Sequence, residues 1–184
     1  KSKLNKYEDT YKEIRHGKNM IQQTAAMVDQ ASDEDFEDQQ QYLTFLMQGE
    51  EYGVDILNVQ EIRGWGNVAP IPNAPKHVSG VINLRGAIVP VIDLRLLFEL
   101  GDANCDENTV VIVLKVATEN VNRIMGIVVD AVSDVFSLTL ADKRPPPNVN
   151  QGMSHTYIDG LTEVKGKMVI LLDSERLLHL EKND

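Results

Sequence analysis

Cysteine is nearly absent: Cys105 is the one cysteine among 184 residues. No internal disulfide can form, and without Cys or His neighbours at ligand spacing this residue makes no zinc site; it reads as an exposed loop thiol. Long hydrophobic runs are missing too. The longest, such as Thr109 to Leu114 and Met168 to Leu172, fall far short of the roughly 18 residues of a membrane span. No apolar segment opens the chain as a signal peptide would, so a cytoplasmic protein with no direct membrane insertion is expected. Basic charge is short: 18 Lys and Arg face 28 Asp and Glu, for a net charge of -10. A surface that acidic repels phosphate backbones and makes nucleic acid an unexpected partner. The four histidines, His16, His77, His155 and His179, are scattered, none beside a Ser, Cys or carboxylate at the spacing of a triad or metal site. "RGWG" is not a phosphate loop, and no kinase signature is present. The chain is therefore not expected to be an enzyme, and no catalytic residue, metal or cofactor is expected.

Apolar residues make up 42% of the sequence, enough to bury a core in one ordinary domain or two small ones. Tyr11, Ile14, Ile21, Ala25 and Val28 recur near a helical period, predicting a helix within the first 30 or so residues. "ASDEDFEDQQQ" follows, too acidic and too poor in apolar residues to fold alone. Residues 1–40 thus form an extension, either partly ordered or a docking helix for a partner or a second copy. From Gln41 the period changes. "YLTFLMQGEEYGVDI" predicts a hairpin turning at Gly49 and Glu50, and Val/Ile-rich strands bounded by Gly, Asn, Asp or Pro follow to the end. "LRLLFEL" and "SERLLHLE" predict short helices, with Asp93 and Asp173 as their N-caps. Trp65, between two glycines, fits either an exposed binding aromatic or a lid over the first barrel.

The body repeats itself. "GVINLRGAIVPVIDLRLLF" (80–98) lies over "GLTEVKGKMVILLDSERLL" (160–178) without a gap, at an offset of about 80 residues. Gly80 meets Gly160, Arg85 meets Lys165, Gly86 meets Gly166, and Asp93 meets Asp173. Upstream, "YGVDILNVQEI" matches "MGIVVDAVSDV", pairing Gly53 with Gly126, Val59 with Val132, and Glu61 with Asp134. An open sheet of about five short strands leaves reactive edges and little core; closure into a barrel, with a second alongside, removes both problems. Two intertwined five-stranded barrels are expected, approximately 41–105 and 106–184. Val78 to Leu84 and Ala87 to Asp93 should be strands joined at Arg85-Gly86, where glycine admits a positive φ. Pro90 cannot donate to a ladder and so marks an edge or a bulge. "TVVIVL" is apolar on both faces, which means a strand either sandwiched or open to a partner.

These strings carry a resemblance. "YLTFLMQGEEYGVDILNVQEIRG", "VSGVINLRGAIVPVIDLR", "NTVVIVL" and "MGIVVDAVSDVFSLT", in this order and spacing, resemble the CheW family of chemotaxis coupling proteins from about Gln41 onward. The resemblance implies a mainly β fold of two SH3-like β-barrels and a scaffolding role. The partners it implies are the cytoplasmic tips of methyl-accepting chemotaxis receptors, the regulatory domain of the histidine kinase CheA, and other domains of this fold in rings. It also implies a receptor surface at Val59, Glu61, Ile62, Arg85, Val111, Val132 and Val135, with the receptor helix in a groove between the barrels. Kinase contact falls to Ile88 and, at a second surface, to Arg144 and Val149. At Val149 the chain departs from the family, which carries a larger aromatic there, and the extension of some 40 residues is a second departure. Two other functions compete: an adaptor of the same fold serving another kinase or a polar-localisation system, and a hydrolase or small-ligand barrel. The last would need a polar cavity with perturbed carboxylates, for which the sequence offers no cluster.

Overall fold

A computed structural model describes residues 39–101, 103–117, 122–146 and 156–179. The helix expected in the extension, its acidic linker up to residue 38, and Val149 lie outside the described residues. Among the described residues there are ten strands: β1 (Gln40–Met47), β2 (Glu50–Asp55), β3 (Val59–Gly64), β4 (Val78–Leu84), β5 (Ala87–Asp93), β6 (Val110–Ala117), β7 (Asn122–Val129), β8 (Ala131–Leu138), β9 (Ile158–Val164) and β10 (Lys167–Leu172). Two one-turn helices, α1 (Leu94–Leu97) and α2 (Ser174–Leu177), follow β5 and β10. Asp93 and Asp173 cap them, accepting the Arg95 and Arg176 backbone N–H groups respectively. The first hairpin turns one residue earlier than expected, at Gln48 and Gly49, both of which take positive φ.

The strands form two five-stranded sheets, in the orders β8-β1-β2-β10-β9 and β3-β6-β7-β5-β4. Each is closed by a backbone bridge. Ala69, downstream of β3, exchanges hydrogen bonds with Val81 of β4 (2.8 and 2.9 Å), and Arg144, downstream of β8, does so with Leu161 of β9 (both 2.8 Å). Val81 and Leu161 are repeat equivalents, so both barrels close by the same device. Glycine makes the closure possible: a Cβ on Gly80 would lie 2.1 Å from the Ala69 carbonyl oxygen, and one on Gly160 would lie 2.9 Å from that of Arg144.

A cut near residue 105 does not separate the barrels. The β1–β2 hairpin of the first repeat pairs with β8 and β10 of the second. In exchange, the β6–β7 hairpin of the second repeat pairs with β3 and β5 of the first. Both repeats share one strand pattern, so each hairpin fits the other's partners, and the chain interleaves.

Packing follows from that arrangement. One core fills the first barrel (Tyr42, Leu138, Val169, Leu171), and another fills the second (Ile82, Leu84, Val89, Val91, Val111, Val113, Val128). The largest lies between the barrels and draws on both, including Phe45, Val54, Ile112, Leu114, Ile127 and Leu172. This resolves "TVVIVL": Val111 and Val113 face the second barrel's interior, while Val110, Ile112 and Leu114 face the shared core. Gly53 and Gly126 admit their neighbours into the barrel interiors; a Cβ on Gly126 would meet Val111 at 2.8 Å. Pro90 stands just before the β5–β7 ladder, which spans only Val91 to Asp93, so β5 is an edge along its first half. Trp65 is half-buried against the second barrel's core, as a lid rather than an exposed aromatic.

Candidate functional site

Arg85 and Gly86 form the two-residue turn between β4 and β5, with φ of 51° and 91°; Lys165 and Gly166 repeat it at 51° and 78°. Positive φ at both central residues suits the twist of the flanking strands. Asn83 fixes the first turn by accepting the Gly86 N–H at 2.8 Å on its side-chain oxygen. The Arg85 side chain is 83% exposed and lies 3.6 Å from the Glu61 carboxylate, whose other oxygen is 3.5 Å from Arg63. In the first barrel Lys165 pairs with Asp134 at 3.1 Å. Glu61 and Asp134 are repeat partners, so each barrel carries a basic residue paired with a carboxylate at equivalent positions. Asp134 is held below the usual carboxylate range, first by the Val135 N–H it accepts and then by Lys165. Ion pairs this exposed add little to stability. They orient the cations and leave them open.

The residues after these turns also match. Ile88 is 66% exposed and its equivalent Met168 is 50% exposed, each on the strand leaving the turn. Beside Ile88 a cleft of about 510 Å³ opens where β5 and β7 diverge before Val91, with Pro90, Arg123, Met125 and Leu178 among its walls. Arg123 donates to the Leu178 carbonyl at 2.8 Å, tying that wall to the end of α2. A second cleft of about 270 Å³ sits at the Lys165 end of the first barrel, over Thr44, Phe136 and Val169.

The sequence-predicted site residues divide by burial. Val59, Ile62, Val111 and Val132 are no more than 5% exposed and belong to the cores. Their side chains offer no surface to a partner in this conformation, and substitution there acts on packing first. Val135 is half-buried against the shared core, and Glu61 is half-buried beneath Arg85. Arg85 and Ile88 are exposed; so is Arg144, whose backbone closes the first barrel. The structure thus brings Glu61 and Arg85 together, and sets Ile88 just beyond their turn. Arg144 belongs to the other barrel.

Sequence reasoning missed Arg95, the largest fully buried side chain. Its guanidinium pairs with Asp93 at 2.7 Å and Asp130 at 2.6 Å, and donates to the Asn104 carbonyl at 2.8 Å and to Cys105 Sγ at 3.4 Å. The hydrogen bond to Asp93 is the main reason its pKa rises further above the arginine range. Asp93, read as an N-cap alone, therefore has two roles. Its position two residues before an arginine at a strand end was the available signal. Among the described residues, no three His, Cys, Asp or Glu side chains are grouped to hold a metal ion.

Comparison with known proteins matches residues 41–182 to the CheW-like domain. The chain is 49% identical over 143 residues to the chemotaxis protein CheW of Klebsiella aerogenes, covering 78% of this chain and 84% of that one. It is 32% identical over 142 residues to the chemotaxis protein CheW of Rhizobium meliloti, covering 77% and 89%. Among solved structures, the scaffolding protein TtCheW of Thermoanaerobacter tengcongensis superposes with a TM-score of 0.66 at 27% identity, covering 80% of this chain and 91% of that one. The repeated turns, the paired barrels and a match spanning every described strand from β1 to β10 lead to one conclusion: this chain belongs to the CheW family.

Proposed function

We propose that the chain couples chemoreceptors to the histidine kinase CheA as a non-catalytic adaptor of a chemotaxis array. The observation that carries this reading is the Arg85 turn, which holds an exposed cation above Glu61 at the end of the second barrel. An exposed arginine on a rigid hairpin is suited to recognising a helical tip, because little backbone freedom remains to be lost on binding. Receptor contact is assigned to Arg85, Glu61 and Val135. Val59, Ile62, Val111 and Val132 belong to the cores and act through packing.

Kinase contact is assigned to Ile88, beside the open half of β5, and to Arg144 on the other barrel. An exposed isoleucine at the rim of an open cleft fits an apolar contact between barrel ends. Located through its partners, the protein would sit at the cytoplasmic face of the receptor array.

The test is receptor-tip binding by Arg85→Glu, with Arg85→Ala beside it. Arg85 makes only an exposed ion pair, so both variants should melt within about 0.5 kcal/mol of the parent while receptor affinity drops about tenfold or more. Undiminished receptor binding, or loss of fold, would overturn the role given to Arg85.

A further inference from the structure

The two barrels carry equivalent turns, yet the charges around them differ. At the first barrel's turn Lys165 donates to the Asp134 carboxylate at 3.1 Å, one cation closed on one carboxylate. At the second barrel's turn the Glu61 carboxylate is shared by two guanidinium groups, 3.5 Å from Arg63 Nε and 3.6 Å from Arg85. Both contacts are longer than the roughly 2.7–2.9 Å of a good charged hydrogen bond, so Glu61 saturates neither arginine.

The difference traces to one position. Arg63 stands two residues after Glu61 on β3; the residue two after Asp134 on β8 is Phe136, which stacks on Tyr42 with ring centroids 6.3 Å apart and brings no charge. Arg63 is also tied to the turn itself. Its guanidinium donates to the Asn83 carbonyl at 3.2 Å, joining β3 to β4, and the side chain of the same Asn83 accepts the Gly86 N–H at 2.8 Å. The ionisable side chains of β3, β4 and the turn are Glu61, Arg63 and Arg85, and β6, paired with β3, adds only Lys115. With Glu61 fully charged the balance here stays positive, on a chain whose net charge is -10. Without Arg63, the Glu61 charge would fall to Arg85 alone and neutralise the turn.

We propose that Arg63 is a positioning residue of the Arg85 surface: it keeps Glu61 from closing on Arg85 and leaves the turn net positive, which selects a partner presenting a carboxylate there. The inference rests on the reading of Arg85 as the receptor contact and names the chemistry of that contact. Arg63 acts through Glu61 rather than by touching the partner; its side chain is 38% exposed against 83% for Arg85, so Arg85 is the outer cation. An acidic chain repels an acidic partner over most of its surface, so a local positive site decides where such a partner is admitted.

The experiment measures binding of a receptor-tip fragment to the full chain for Arg63→Gln, Arg63→Lys, Glu61→Gln, Arg85→Ala and the double variant Arg63→Gln/Glu61→Gln. Arg63→Gln should weaken binding about threefold to tenfold and flatten its salt dependence, with the circular-dichroism melt unchanged. Arg63→Lys, which keeps the charge, should restore binding. Arg63→Gln should cost less in the Glu61→Gln background than in the parent, because no carboxylate is then left to close on Arg85. Parent-like affinity in Arg63→Gln, failure of lysine to restore it, or equal losses with and without the Glu61 carboxylate would overturn the proposal. If Arg85→Ala binds the tip undiminished, the receptor reading falls and this inference with it; if Arg85→Ala weakens binding and Arg63→Gln does not, this inference fails alone.

Discussion

Replacing Gly80 by alanine tests the closure of the second barrel. The added Cβ falls 2.1 Å from the Ala69 carbonyl oxygen and 2.8 Å from its carbon, at a φ of +144°. The obstacle is backbone, so no side chain can swing away. Moving Ala69 breaks its two hydrogen bonds with Val81, each worth about 1 kcal/mol net, and holding alanine at that φ costs about 1–3 kcal/mol more. The total, about 3–5 kcal/mol, is a large fraction of the roughly 5–15 kcal/mol that stabilises a domain. With a urea m-value of about 2 kcal/mol/M, the unfolding midpoint should fall by about 1.5–2.5 M at unchanged slope. Gly160→Ala is the internal control. Its Cβ meets the Arg144 carbonyl oxygen and the Lys143 side chain at 2.9 Å, and its φ is not positive, so a smaller loss of about 1–2 kcal/mol is expected. The reasoning is refuted if Gly80→Ala unfolds within about 0.5 kcal/mol of the parent, or if Gly160→Ala is the more damaging change.

Three other outcomes follow from the packing and the charges. Arg95→Ala leaves Asp93 buried without its counterion, and should lower stability by about 3–5 kcal/mol in the same urea assay. Ile112→Ala, in the core between the barrels, should cost about 2–5 kcal/mol; unfolding should remain one transition by circular dichroism and by Trp65 fluorescence, because the barrels exchange hairpins and share that core. Burial, followed by Asp159 and Asp55, pushes the Tyr42 phenol up to about 12 from 10.0. A folded pKa above the unfolded one means the stability Tyr42 provides is complete below about pH 10 and lost as pH rises toward 12. The urea midpoint should therefore drop across that window, and drop less in Tyr42→Phe; equal slopes in the two proteins would contradict it.

The parts of the fold legible in the sequence are those encoded locally and encoded twice. Arg85-Gly86 and Lys165-Gly166 announced hairpins because a turn with positive φ needs such residues, and β4 and β5 have the bounds that turn implied. Gly80 and Gly160 were visible as a repeated pair, though their purpose, close approach at the barrel seam, required the partner carbonyls to be seen. Which hairpins the intertwined barrels exchange was illegible for a physical reason. Both repeats present the same strand pattern, so periodicity cannot say whether β1 and β2 join their own repeat or the other. The valines were ambiguous likewise. In strands buried on both faces the alternation that distinguishes core from surface is lost, and only the three cores show that Val59, Val111 and Val132 face inward. Arg95 was hidden because Asp130, 35 residues away, reaches it only through the fold. The exposed site residues, Arg85 and Ile88, came from resemblance to the family, and burial then separated them from the core residues named beside them.

In the proposed role, one chain bridges two partners through separate surfaces. Co-sedimentation of the CheA regulatory domain with receptor-tip assemblies, with and without the full chain, tests it most directly. The kinase domain should sediment in proportion to added chain. Arg85→Glu should release chain and kinase domain together, whereas Ile88→Asp should leave the chain on the receptor and release the kinase domain alone. If the chain sediments with neither partner, or if both substitutions release the same components, the bridging account is wrong.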